Sequence, residues 1–82
     1  MQIDVLEEPD CRVARLHGNL DEDAREAFAS QLHPLIDAGT PVLLLDLADC
    51  PRVTSSGIGQ LVMLVSRANT KGGRVILAAM TP

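Results

Sequence analysis

Val42-Leu43-Leu44-Leu45-Asp46-Leu47, preceded by Gly39-Thr40-Pro41 and followed by a loop into Val53-Thr54-Ser55-Ser56-Gly57-Ile58-Gly59, is the stretch from which the rest of the chain can be placed. A nearly continuous apolar run of this kind, bounded by turn residues, predicts a strand covered on both faces, the central strand of a parallel sheet. Beyond it, Ile58, Leu61, Val62, Val65 and Ala68 recur at helical spacing, opened by Ser55-Ser56-Gly57 and closed by Gly72-Gly73. Arg74 to Ala79 is again apolar and reads as a strand. Strand, helix, strand is the logic of a βαβ crossover, which joins parallel neighbours through a helix packed on the sheet.

Working back toward the amino terminus, Ala24, Ala27, Phe28, Leu32, Leu35 and Ile36 form another amphipathic helical pattern. Asp21 is its candidate N-cap, Glu22 and Asp23 complement the dipole of its first turn, and Gly39 ends it. Pro34 lies inside the pattern, where it removes the amide that would bond to Ser30 and is expected to kink or loosen the last turns. Before this helix, Gln2 to Leu6 alternates with Ile3 and Val5 on one side, Glu7-Glu8-Pro9-Asp10 breaks the alternation, and Cys11 to Leu16 resumes it. That is the pattern of an antiparallel hairpin. The expected fold class is therefore α/β: an amino-terminal hairpin followed by βαβ crossovers with helices on the sheet, in a single domain spanning 1–82. At the far end, Thr81-Pro82 has the form of an N-cap and first helical residue.

Composition removes several function classes. Seven basic residues against eleven acidic ones give a net charge of -4, and the basic residues are scattered, so no nucleic-acid footprint can be assembled. Phe28 is the only aromatic residue, which leaves neither a base-stacking platform nor an aromatic membrane belt. Cys11 and Cys50 are too few for a disulfide framework or a thiolate metal site, and read as reduced thiols. The start of the chain has no basic segment leading into an apolar one, and no apolar run approaches the ~18 residues that span a bilayer. A cytoplasmic protein without direct membrane insertion is expected.

In an open α/β sheet, partners engage the crevice beyond the carboxyl ends of the parallel strands. Here that edge carries Asp46, Asp49 and the segment from Val53 to Gly59. Hydroxyl residues at a helix amino terminus act as caps, each worth about 1 kcal/mol. The same free amides and dipole also stabilise a phosphate on one of the hydroxyls. Catalysis finds no support: there is no G-x-S-x-G elbow, His17 and His33 fall on a strand end and a helix, and Gly57-Ile58-Gly59 lacks the third glycine or the lysine of a phosphate-binding loop. Asp21, Asp46 and Asp49 are without calcium or zinc ligand spacing and read as solvated acidic residues, so neither a metal nor a cofactor is expected.

Leu16–Asp21 and Thr54–Gly59, taken with the apolar strand ending in Asp46, the Gly72-Gly73 turn and the closing R-V-I-L-A-A-M-T-P, together resemble the STAS domain family of the anti-sigma factor antagonist type. Leu16-His17-Gly18-Asn19-Leu20-Asp21 is similar to the family's L-x-G-x-L-D, and Thr54-Ser55-Ser56-Gly57-Ile58-Gly59 to its D-S-S-G-[LI]-G. The apolar strand ending in Asp46, the Gly72-Gly73 turn and the closing R-V-I-L-A-A-M-T-P fall where the family has a buried strand, a G-G turn and a strand running into Ser-Pro. The resemblance implies a non-enzymatic partner-switching regulator of sigma-factor-dependent transcription. In this family an anti-sigma factor serine kinase phosphorylates the first serine of the motif, and the unphosphorylated antagonist sequesters that kinase. Carried over, Ser55 is the phosphoacceptor, with Thr54 the less favoured alternative. Ser56 and Gly57 form the helix cap, and Asp21, Asp46, Thr54, Ser55, Ser56, Gly57 and Ile58 make up the partner-facing edge. The kinase would supply ATP and magnesium.

Two departures from the family matter. Thr54 replaces the usual aspartate before the phosphoacceptor, which weakens the case for kinase recognition and favours the chief alternative, a STAS subunit docking on a membrane transporter as in lipid-transport ABC complexes. The chain is also short at its carboxyl end relative to the family, lacking a helix, a further segment and a terminal helix. Without these, one face of the sheet is expected to lie bare and to invite self-association, as in a homodimer, or disorder, unless the native protein continues past Pro82.

Overall fold

The computed structural model describes residues 1–78. Strands β1 (Gln2–Glu7) and β2 (Arg12–His17) form the hairpin, joined by a turn in which the Glu8 amide donates to the Cys11 carbonyl at 2.9 Å. A continuous helical run over 22–37, here α1, leads to β3 (Val42–Asp49). Helix α2 (Ser55–Thr70) then leads to β4 (Arg74–Ala78). The sheet order is β1-β2-β3-β4; β1 pairs antiparallel with β2, and β2-β3 and β3-β4 are parallel. The α/β fold with a hairpin and two crossovers is as the sequence predicts, while Ala79 and the Thr81-Pro82 helix signal lie outside the described residues.

Local chemistry explains the boundaries. Asp21 caps α1, its Oδ1 accepting from the Asp23 amide at 3.0 Å, with Glu22 and Asp23 in the first turn. The effect of Pro34 falls in the turn before it, around the Ser30 carbonyl that its missing amide would have bonded. Phe28–Leu32 winds as a π-turn, and His33–Asp37 resumes α-helix with Pro34 at its start, where a missing amide is tolerated. The helix thus keeps running by widening one turn, with Phe28 and Leu32 buried on both sides of it. Gly39 (φ 93°) and Gly72 (φ 79°) take the left-handed conformation that ends α1 and α2.

One continuous core holds the layers together. Ala14 and Leu16 of β2 and Leu43 and Leu45 of β3 meet Leu20, Ala24, Phe28, Leu32 and Ile36 from the α1 side, and Leu61, Leu64 and Ala68 of α2. The pairing Ala14↔Leu45 puts these residues on the same face of the sheet, and Ile3 joins them from β1 through its pairing with Leu16. The expectation that β3 is covered on both faces is corrected here. Leu43 and Leu45 are fully buried, but the alternate residues Val42, Leu44 and Asp46 are only half-buried, because among the described residues both helices pack on one side.

Candidate functional site

The turn after β2 and the loop after β3 come together at the carboxyl ends of the two parallel strands. The Gly18 amide donates to the Asp49 carbonyl at 3.1 Å, the Leu20 amide to Arg52 at 2.9 Å, and the Thr54 amide back to Leu20 at 3.0 Å. A short parallel bridge, Leu20↔Val53, results. It extends the sheet logic past the strand ends and fixes the entry to α2 against the segment that carries Asp21.

The cap of α2 is Thr54, which corrects the assignment of that role to Ser56 and Gly57. Thr54 has extended backbone angles (φ -99°, ψ 173°), its Oγ1 accepts from the Gly57 amide at 3.3 Å, and its carbonyl accepts from Ile58 at 2.9 Å. Ser55 and Ser56 therefore occupy the first two helical positions, both exposed, with no acidic residue in that turn to offset the positive end of the dipole. Ile58, also on the expected partner edge, is 53% exposed, which is high for an isoleucine beside a core helix face. Gly57 is buried against Leu20: a Cβ built on it would lie 2.0 Å from the Leu20 carbonyl oxygen. Only a glycine lets the helix start approach the turn this closely.

Asp21 lies with this cluster, because the side chain of Gln60, buried on α2, donates from Nε2 to the Asp21 carbonyl at 2.7 Å. Gln60 was not singled out from the sequence. The available signal was a polar residue one position before Leu61, on the core-facing stripe of α2. Its Oε1 is sealed from solvent and has no protein partner among the described residues. Asp46 is placed differently. Its Oδ1 accepts from the Ala48 amide at 3.0 Å and its Oδ2 stands 3.8 Å from Arg15 Nε, across the sheet on the face away from the helices. Asp49 engages His17 Nδ1 at 2.8 Å, and His17 Nε2 meets Asp4 at 3.0 Å. Burial first, and then the charges of Asp49 and Asp46, push the Cys50 thiol above its ordinary pKa, so it is a poor nucleophile. Among the described residues no cluster of histidine, cysteine and carboxylate has the makings of a metal site. No described helix is long and apolar enough to cross a membrane.

The site thus consists of an exposed serine pair at a free helix start, a glycine-dependent contact and a capped turn bearing Asp21. Comparison with known proteins places the chain in a family. The anti-sigma factor antagonist SpoIIAA in its unphosphorylated form superimposes with a TM-score of 0.78 at 23% identity, over 99% of this chain and 76% of SpoIIAA. The phosphorylated form of SpoIIAA, a Bacillus cell fate determinant, gives 0.77 at 23% identity over 99% and 75%. A part of Mglu matches with a TM-score of 0.79 at 26% identity over 96% of this chain, which spans only 19% of Mglu. At these identities the SpoIIAA matches establish the fold. The sequence profile described as "Mlab, STAS domain" matches residues 3–82, nearly the whole chain, and this chain therefore belongs to the STAS domain family.

Proposed function

We propose that this domain is a partner-switching regulator of the anti-sigma factor antagonist type, which binds a protein serine kinase through the Leu20–Asp21 turn and the start of α2. Phosphorylation of Ser55 controls that binding. The observation that supports the reading most is the pairing of an exposed Ser55 with a helix start whose first turn carries no acidic residue. A phosphate there adds nearly two negative charges at neutral pH and is stabilised by the amides and dipole of α2. The kinase transfers the γ-phosphoryl group of ATP to Ser55 Oγ, releasing ADP, and the hydroxyl proton leaves with its base. With Asp21 close by, the modified edge then repels an acidic partner surface and must be desolvated to remain in a tight interface. Affinity is expected to fall by several kcal/mol, at least a hundredfold. The domain itself performs no chemistry, needs no cofactor, and acts in the cytoplasm, where such a kinase and its ATP are found.

A second reading keeps the same docking edge but makes the partner a membrane transporter of the lipid-transport ABC kind, with no phosphorylation. Thr54 favours it. The threonine caps α2 through Oγ1, leaving no carboxylate beside Ser55 for a kinase to read. Incubation with ATP and cognate lysate, followed by mass-spectrometric mapping, separates the two. Phosphate on Ser55 that is absent from Ser55→Ala, together with loss of a co-purifying kinase from Ser55→Asp, is the expected outcome. An unmodified 54–56 segment, with an ATPase and permease recovered instead, overturns the switch in favour of the transporter.

A further inference from the structure

The face of the sheet opposite the helices carries an ordered pattern. Leu6 pairs with Val13, Val13 with Leu44, and Leu44 with Ile76, so one aliphatic row crosses all four strands. Leu6 is 39% and Ile76 36% exposed, and Val13 and Leu44 are half-buried between them. One pleat further along runs a second row, Asp4, Arg15, Asp46 and Ala78, whose charges alternate. Nothing among the described residues packs over either row.

We infer that this face binds a second copy of the chain, sheet on sheet, about a twofold axis that runs parallel to β2 and β3 and between them. The register argues for this occupant. Such an axis exchanges β2 and β3 without shifting them along their length, so Val13 of each copy stacks on Leu44 of the other and Leu6 on Ile76. It also carries each Arg15 over the other copy's Asp46, closing a ring of two guanidinium and two carboxylate groups around the axis. The alternation of charge is therefore self-complementary in the one arrangement that also superimposes the aliphatic row on itself. The roughly 30° rotation usual between packed sheets turns the outer strands apart and leaves these central contacts in place.

The interface is small. Four strands at ~4.8 Å spacing and six residues at ~3.3 Å give a footprint of about 400 Å² per copy. That is half the ~800 Å² per partner of a standard stable complex, so the dimer is weak and reversible. Sedimentation equilibrium with interference optics, from about 10 μM to 1 mM, is expected to show the mass rising from the monomer's 8.8 kDa toward twice that value. Arg15→Asp and Asp46→Arg each place like charges across the axis and should each remain monomeric. Within one copy the Arg15–Asp46 contact is long, at 3.8 Å, and Arg15 is exposed, so Arg15→Asp should leave folding little affected; Asp46→Arg also removes the acceptor of the Ala48 amide, and circular dichroism checks that both variants remain folded. Mixed in equal amounts, the two variants restore both opposite-charge contacts and should dimerise as the wild type does, whereas Ile76→Asp should weaken association in either background. A wild type monomeric at the highest concentration overturns the proposal. So do single variants that dimerise normally, or a mixture that associates no better than its components.

Discussion

Two neighbouring residues set the geometry of the α2 start, and they do so differently. Thr54 acts through a hydrogen bond, which aspartate, serine or asparagine would also supply. Gly57 acts by having no side chain, which nothing else supplies, since a Cβ would fall within 2.0 Å of a backbone oxygen held in the Leu20–Val53 bridge. Gly57→Ala should therefore destabilise the fold by about 3 kcal/mol, the upper range for overpacking a site that cannot yield. Chemical denaturation followed by circular dichroism measures it, and a loss below ~1 kcal/mol would mean that the turn gives way easily. The site was legible in the sequence as a segment but not as roles. Three hydroxyl residues in a row have similar capping preferences, and the choice of Thr54 is made by its own amide bonding to Leu20, a contact more than thirty residues distant in sequence. Gln60 escaped notice for the same reason: its importance comes from the Asp21 carbonyl it reaches.

At the scale of elements, α1 and α2 were readable because each carries an apolar stripe, and the strands because turn residues bracket them, but the face of α2 was misread in part: Ile58 and Val62 of its stripe are exposed, and Leu64 is buried with Leu61 and Ala68. The π-turn was not readable, since proline announces a disturbance without saying whether the helix will bend, stop or widen. The two helices are clasped at their far ends by Arg67, which donates from Nε to Asp37 at 2.8 Å and from a second nitrogen to the other carboxylate oxygen. This hydrogen bonding holds Asp37 below its ordinary pKa of 3.8. A carboxylate depressed in the folded state stabilises it above the unfolded value, and that contribution is lost as pH falls through the folded one. The stability difference between wild type and Arg67→Ala, small because the pair is solvated, should therefore be constant at neutral pH and shrink below about pH 3.8. His33 adds a separate window: burial first, then Arg67, lowers its pKa, so wild type loses stability as pH falls below 6.5, and Arg67→Ala should lose less there. Thermal unfolding of both proteins across pH 3 to 8 tests this; parallel curves would show that the clasp does not couple to either group.

For the whole molecule, a small core rests heavily on single side chains. Phe28 is the only aromatic residue, is 1% exposed, and sits at the widened turn where α1 faces the sheet. Phe28→Ala should cost about 3–5 kcal/mol. Because a domain of this size has little stability to spare, the variant is expected to be largely unfolded at 37 °C by circular dichroism. A cooperative transition retained above that temperature would show that neighbouring leucines refill the space. The one-sided cover of β3 was the chief feature the sequence misrepresented. Its run of leucines has the look of a fully enclosed strand, but only its core-facing half is enclosed by helices.

The position of β3 has a kinetic consequence. The hairpin of β1 and β2 closes over a few residues, but β3 joins β2 only after the loop containing α1 has closed, and β4 joins only after α2 has. Non-local parallel pairings of this kind form late. Until they do, Val42 to Leu47 is an unpaired aliphatic segment with a single charge, the sort of sequence that captures another copy of itself before it finds its own neighbours. The strand at the centre of the finished sheet is thus the most vulnerable part of the nascent chain, and the yield of soluble protein should depend on how quickly the two crossovers close around it.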